Sequence, residues 1–313
     1  MSSYSMTESL SLVRSGFSGA LADYAELFKL RITALIVMTA WAGYYLAALK
    51  AHAPLLSQGL FDALLGIGLV SAGTAGLNEA IEYRSDALMQ RTARRPLPAN
   101  RMPVAQAALL SIFIVLGGSF YMALTLNILA GTLTFLTAIA YLAIYTPLKK
   151  HHPVCTLIGA IPGAMPGLLG WVAVRGRIEW EAVVLFAILF FWQFPHFLAI
   201  AWLYREDYDR AGIQMRPVVE PDGRSTASEI LLYSAGLVPV SLAPTLLHMA
   251  GWSYGVGAVL LGIALFLVGL RLWRAALPAT SSQSKRYARQ LLQATVFYLP
   301  LLLALMMLNA KHF

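Results

Sequence analysis

A single cysteine, Cys155, stands in the 313 residues. No intrachain disulfide can form, and a cysteine-based zinc cluster is excluded. Charge is nearly as scarce: Asp, Glu, Lys and Arg make up 12% of the chain, against 58% hydrophobic residues. A soluble domain carries roughly 25% charged residues. Stretches 102–148 and 230–270 hold no charged side chain at all. A chain this poor in charge has lipid as its main solvent. The formal net charge of +8 would suit nucleic acid, but the basic residues stand in short clusters between apolar runs, the pattern of a membrane surface. The bilayer, not nucleic acid, is therefore the expected partner. Residues 1–28 lack a compact apolar core, so no cleavable leader is expected, and the run that opens after Arg31 serves as an uncleaved first span.

What the chain does have is long apolar runs. A helix crossing the hydrocarbon core needs about 20 mostly apolar residues, and nine stretches qualify: 32–49, 60–82, 104–125, 128–148, 154–174, 182–204, 230–249, 252–270 and 290–310. Two breaks are set by length, near Asn127 and near Gly251. Backbone groups in lipid must be hydrogen-bonded internally, so these runs are helices. The fifth contains Pro162-Gly163-Ala164-Met165-Pro166-Gly167, which is expected to kink or loosen it. Residues 1–28 read as a cytoplasmic N-terminal segment and 29–313 as one polytopic domain. All Lys and Arg residues but Lys50, Arg175, Arg177 and Lys311, 19 of the 23, fall on one side. The positive-inside rule makes that side cytoplasmic. The chain is then expected in the cell inner membrane, with the N-terminus inside and the C-terminus outside. The longest loops, 87–103 and 205–229, lie on the same side, so function is expected there.

Asn78, Glu82 and Asp86 end the second span at intervals of four and line one helical face. A carboxylate near hydrocarbon is expensive, about 2.5–3.5 kcal/mol at a helix centre, so something cationic must face this row. Mg2+ takes oxygen ligands and is commonly held by one or two carboxylates together with substrate phosphates. The plainer reading is a helix-end salt bridge to Arg84 or Arg91. Arg91, Arg94 and Arg95 follow directly. Arginine binds phosphate oxygens in bidentate fashion, although a basic loop on anionic lipid has the same composition.

The sixth span ends in a similar way. Trp192-Gln193-Phe194-Pro195-His196-Phe197 leads into Tyr204-Arg205-Glu206-Asp207-Tyr208, so Glu206 and Asp207 are a second acidic cluster. Against it stands the reading of a solvated, charge-balanced loop. His196 is either a hydrogen-bonded packing residue or a contact for haem iron or a propionate. Lys149 precedes His151-His152, a surface basic run with no third metal ligand in view. Lys29 and Arg31 either anchor the first span by snorkelling or complete a positive wall.

Taken together, these motifs resemble the UbiA prenyltransferase superfamily, and within it the haem-farnesylating branch. The resemblance covers roughly 26–220 and is carried by Lys29-Leu30-Arg31-Ile32-Thr33, Asn78…Glu82…Asp86…Met89-Gln90-Arg91-Thr92…Arg95-Pro96-Leu97, Tyr145-Thr146-Pro147-Leu148-Lys149-Lys150, Trp192-Gln193…Pro195-His196-Phe197 and Asp207-Tyr208…Ala211-Gly212-Ile213. Glu82 stands where most of the superfamily has Asp, and Leu30, Gly167 and Phe194 replace usual prolines.

The resemblance implies an all-α integral membrane protein with nine transmembrane helices in a ring around a central cavity, capped by the loop after the second span. It implies transfer of a farnesyl group from farnesyl diphosphate to the vinyl group of haem B, with water addition, giving haem O for terminal oxidases. Asn78, Glu82, Asp86 and Asp207 would be catalytic. With Glu206 they would also hold Mg2+, the implied cofactor. Arg31, Arg91, Arg95, Lys149 and Arg205 would neutralise the diphosphate. His196, Trp192, Phe197 and Tyr145 would line the haem or prenyl pocket, with Phe191 and Phe194 as further aromatic shields. Haem A synthase or terminal oxidase assembly proteins would be partners. Two alternatives are another UbiA-type transferase with a different aromatic or tetrapyrrole acceptor, and an assembly factor without catalysis. A transporter tends to carry ionisable groups at the bilayer midplane, whereas here they gather at helix ends.

Overall fold

The computed structural model describes residues 17–310. Among them, nine helices are long and apolar enough to cross a membrane: Leu30–Lys50, Gln58–Asp86, Val104–Thr125, Ile128–Leu148, Cys155–Arg175, Trp180–Leu203, Arg224–Leu246, Trp252–Ala275 and Ser282–Leu308, here spans one to nine. The two breaks set by length fall at the expected residues. Asn127 caps span four, its Oδ1 accepting the Ala130 N–H at 2.9 Å, and Gly251 precedes span eight. Spans two, seven and nine extend beyond the expected ends, to Asp86 and back to Arg224 and Ser282. An apolar count stops at the first charge, whereas a helix continues into the polar interface as long as its backbone ladder is satisfied.

Successive spans pack on one another and span nine returns to span one, the contact order of a ring. The two most extensive further contacts pinch it, between spans one and five and between spans six and nine. The first is a backbone approach made possible by glycine. A Cβ on Gly170 would lie 1.9 Å from the Ala40 carbonyl oxygen, and one on Gly43 would lie 1.9 Å from that of Gly167. Without a hydrophobic drive in lipid, small residues that let backbones meet are the main source of helix–helix attraction. This contact lies in the halves of spans one and five remote from Lys29 and Cys155. It closes the bundle at the end away from the acids. Span five is one continuous helix through Pro162 and Pro166, and Gln193 of span six donates to the Ala160 carbonyl at 3.1 Å beside them.

Part of the expected N-terminal segment is ordered as a helix. Residues 1–16 lie outside the described residues, but Phe17–Leu27 is helical. Leu27 is buried with Leu97, Met102 and Ala107. Arg101 bonds Asp23 at 2.9 Å and Glu26 at 3.1 Å. This helix therefore braces the loop that follows span two.

Candidate active site

The acid row occupies the last two turns of span two. Asn78, Glu82 and Asp86 are only 3%, 7% and 2% exposed. Burying carboxylates to this degree is tolerable only when each is paired and hydrogen-bonded. Each polar group of the row meets one cation, and each cation comes from a different segment. Lys29 Nζ donates to Asn78 Oδ1 at 3.0 Å. Lys149 Nζ donates to both Glu82 oxygens, at 2.9 and 3.1 Å. Arg95 Nη1 lies 2.6 Å from Asp86 Oδ2. Within the row, Asn78 Nδ2 donates to Glu82 Oε2 at 2.7 Å. The cations that meet the acids are thus not Arg84 or Arg91. Arg84 bonds the Tyr83 hydroxyl, and Arg91 lies over the Tyr204 ring at 5.2 Å.

Two local distortions place these cations. Lys29 sits between the first helix and span one with φ 46°, a left-handed conformation that costs a non-glycine residue roughly 1–2 kcal/mol. This turn directs its side chain to Asn78. Burial, and then the like charges of Arg95 and Lys149, pull its ammonium down to about 8. The second distortion is a π-helical segment in span four, Ala140–Tyr145. An inserted π turn rotates everything after it, and such turns concentrate at functional sites. Beyond it, the Thr146 hydroxyl accepts from Asn78 at 3.3 Å, and Lys149 reaches Glu82 while its Nζ lies 4.6 Å from the centre of the Tyr145 ring.

The second constellation joins the first through the loop. Asp207 is 7% exposed on a short helix, Arg205–Arg210, after span six. Its Oδ1 accepts the Gln90 N–H at 3.2 Å and its Oδ2 the Arg91 N–H at 3.4 Å. It is also paired with Arg210. Met89 is buried among Cys155, Ala201, Ile213 and Met215. Burial pushes the Tyr208 phenol up, and the charges of Arg91, Lys149, Glu82 and Arg95 all act on it. The loop after span two therefore lies across the ends of spans five and six, pinned by Asp207 at one point and by Arg95 on Asp86 at another. A third pin is Thr92, which donates to the Asp86 carbonyl at 2.8 Å.

Several expected site residues lie elsewhere. Glu206 does not join Asp207. It pairs at 2.7 Å with Lys285 at the start of span nine, whose ammonium holds its carboxyl below the usual carboxylate range. One residue of helix is a turn of about 100°, so the neighbours face different ways. Arg205 donates to the Pro217 carbonyl at 2.8 Å and secures the following segment. Arg31 is exposed on the first turn of span one, and Lys29 makes the contact with the row in its place. Trp192 and His196 lie in the seam between spans six and nine. Their rings stack at 4.7 Å, Trp192 Nε1 donates to the Thr295 carbonyl at 2.8 Å, and His196 Nδ1 bonds the Thr295 hydroxyl at 2.9 Å. That is the packing role weighed for His196, made with one of its two ring nitrogens. Phe197 is exposed beside it at 5.3 Å. Phe194 is fully buried, stacked 3.5 Å from Tyr233. His151 and His152 are exposed.

Glu79 was missed, because it falls one residue off the four-residue row. It is fully buried, its Oε1 accepts the Leu97 N–H at 3.3 Å, and its Oε2 has no partner. It holds the far end of the same loop.

Among the described residues, no three His, Cys, Asp or Glu side chains gather as a metal cage. The donor set is nonetheless hard oxygen, from Asn78, Glu82 and Asp86, backed by cations that exceed it in charge. It fits a hard divalent ion shared with an anionic ligand rather than one enclosed by protein alone.

The model of the UbiA prenyltransferase family matches residues 36–292. The chain is 56% identical over 305 residues to a protein named protoheme IX farnesyltransferase from Koribacter versatilis (strain Ellin345), covering 97% of this chain and 98% of that one. It is 45% identical to a protein of the same name from Solibacter usitatus (strain Ellin6076), covering 92% and 98%. In fold it is similar to a UbiA homolog from Archaeoglobus fulgidus bound to GPP and Mg2+, with TM-score 0.64, 17% identity, and coverage of 91% of this chain and 99% of that one. A buried, cation-paired acid row at one end of nine membrane helices is thus accompanied by similarity in sequence and fold, and the chain belongs to the UbiA prenyltransferase family.

Proposed function

We propose that this chain transfers a farnesyl group from farnesyl diphosphate to the vinyl group of haem B, with addition of water, and so forms haem O. The relatives that align over nearly its whole length carry the name protoheme IX farnesyltransferase. The observation that carries the chemistry is the one-to-one pairing of Asn78, Glu82 and Asp86 with Lys29, Lys149 and Arg95. Three buried oxygen donors facing three cations form a site that exchanges partners. When a diphosphate arrives, Lys29, Lys149 and Arg95 turn to its oxygens, and Asn78, Glu82 and Asp86 are the residues that would hold Mg2+. The ion, when bound, supplies charge neutralisation of the departing diphosphate.

This chain's residues do the rest. Lys29, Lys149 and Arg95 bind and orient the leaving group in a site of low dielectric, where fixed charges act most strongly. Asp207, Thr92 and Glu79 hold the loop across the site and exclude bulk water. The Tyr145 ring presents a π face to the developing allylic cation. The C–O bond to diphosphate breaks, the vinyl carbon bonds to the farnesyl carbon, and the cation left beside the pyrrole takes water and releases a proton. His196 retains one ring nitrogen for the haem. Residues 29–313 act as one unit, in the inner membrane, with the acid end and the N-terminus facing the cytoplasm.

The test is expression of the chain in membranes supplied with haem B and farnesyl diphosphate, followed by mass analysis of extracted haem. Haem O is expected from the wild type and none from Asp86→Ala. A prenylated quinone precursor instead of haem O would reassign the acceptor and leave the chemistry.

A further inference from the structure

Away from the acid row, a groove of about 460 Å³ opens between the ends of spans seven and eight on the same side of the bundle. Its walls carry Arg224, from the first turn of span seven, and Arg274, from the last turn of span eight. Among the described residues neither guanidinium has an ion-pair partner, whereas the bases Arg95, Lys149 and Arg210 are each taken up by a buried acid, Asp86, Glu82 and Asp207. The one acid lining the groove is Asp222, whose Oδ1 already accepts the Arg224 N–H at 3.2 Å. The floor is aromatic. Gly223, at φ 75°, lies so close on Trp202 that a Cβ would meet the indole at 2.4 Å. Trp273 forms one wall, fixed by its Nε1 donating to Ser228 Oγ at 3.2 Å. From Arg274 at the groove an apolar strip runs back along span eight. Leu260, Leu267 and Arg274 recur every seven residues on one face of span eight, and the two leucines are 64% and 50% exposed.

We infer that this groove holds the phosphate of an anionic phospholipid headgroup, with the acyl chains lying along the Leu260–Leu267 strip. The two guanidiniums supply paired donors for phosphate oxygens. Trp273, exposed in the last turn of span eight, is of the residue type that favours the headgroup region. Basic pockets between membrane helices are the usual form of such sites. A soluble phosphate compound would use the guanidiniums but leave the apolar strip uncovered. The site shares no residue with the acid row.

The experiment uses the purified full chain in nanodiscs of phosphatidylcholine with or without phosphatidylglycerol, transferred to mild detergent for native mass spectrometry. The wild type is expected to retain phosphatidylglycerol in preference to phosphatidylcholine, and excess inorganic phosphate is expected not to displace it. Each arginine near a membrane surface contributes roughly fivefold in affinity for anionic lipid. Retention therefore falls roughly fivefold in Arg274→Gln and further in Arg224→Gln/Arg274→Gln. Arg286→Gln, an exposed base outside the groove, leaves it unchanged. Arg274→Gln alone, at an exposed last-turn position, carries the reading if the double variant inserts poorly. Equal retention in Arg274→Gln, an equal loss in Arg286→Gln, or displacement by inorganic phosphate would overturn the assignment.

Discussion

The pairing of Arg95 with Asp86 makes an asymmetric prediction. The Asp86 side chain is 3% exposed and that of Arg95 20%, at 2.6 Å. Removing one partner of a fully buried pair costs about 3–5 kcal/mol because the other is left charged and unpaired, while an exposed pair is worth about 0–1 kcal/mol. Arg95 retains some solvent, so Arg95→Ala should lose roughly 2–3 kcal/mol. At about 2 °C per kcal/mol for a large chain, Tm should fall by roughly 4–6 °C in detergent. Asp86→Asn leaves Arg95 free to turn toward water and should shift Tm by no more than roughly 2 °C. The double variant should recover most of the stability lost in Arg95→Ala. Activity should behave differently. Loss of one fixed charge at the developing negative charge costs about 10²–10³ in rate, so all three variants should make little haem O, including the re-stabilised double variant. Restoration of haem O together with stability would make the pair a structural salt bridge and remove the site's main support. An unchanged Tm in Arg95→Ala would refute the burial argument.

Other outcomes test separate parts of the structure. Glu206→Gln should keep haem O formation within about twofold, while Asp207→Ala should reduce it about 100-fold or more; equal losses would return Glu206 to the site. Gly170→Val should prevent stable assembly, since overpacking costs about 1–3 kcal/mol even where neighbours can yield and here a Cβ meets the Ala40 carbonyl at 1.9 Å; a normal Tm would show that spans one and five do not touch as described. At the other end, hydrogen bonds from Arg175, with help from Trp171 and Arg177, hold Glu179 down to about 2 from its ordinary 4.5. Its folded value is depressed, so its contribution is full above about 4.5 and is lost as pH falls toward about 2. The Tm difference between wild type and Glu179→Gln should therefore shrink over that window, and a constant difference would exclude the linkage.

The sequence by itself determined the number of membrane helices, their order, and the breaks at Asn127 and Gly251. Hydrophobic length and capping chemistry are local, and lipid leaves the backbone no other choice. It also determined that Asn78, Glu82 and Asp86 share a face, because helical spacing alone sets that. Which cation meets which acid was decided only in three dimensions. Lys29 rather than Arg31 reaches Asn78 because of one left-handed residue, and Lys149 reaches Glu82 past a π turn in span four. Neither distortion leaves a pattern in composition or periodicity. Asp207 and Glu206 are neighbours in sequence, yet one binds the loop and the other span nine, because their side chains leave the helix in different directions. Glu79 was invisible for the same reason: its partner, the Leu97 N–H, is brought to it by the fold of the loop and not by any spacing along the chain.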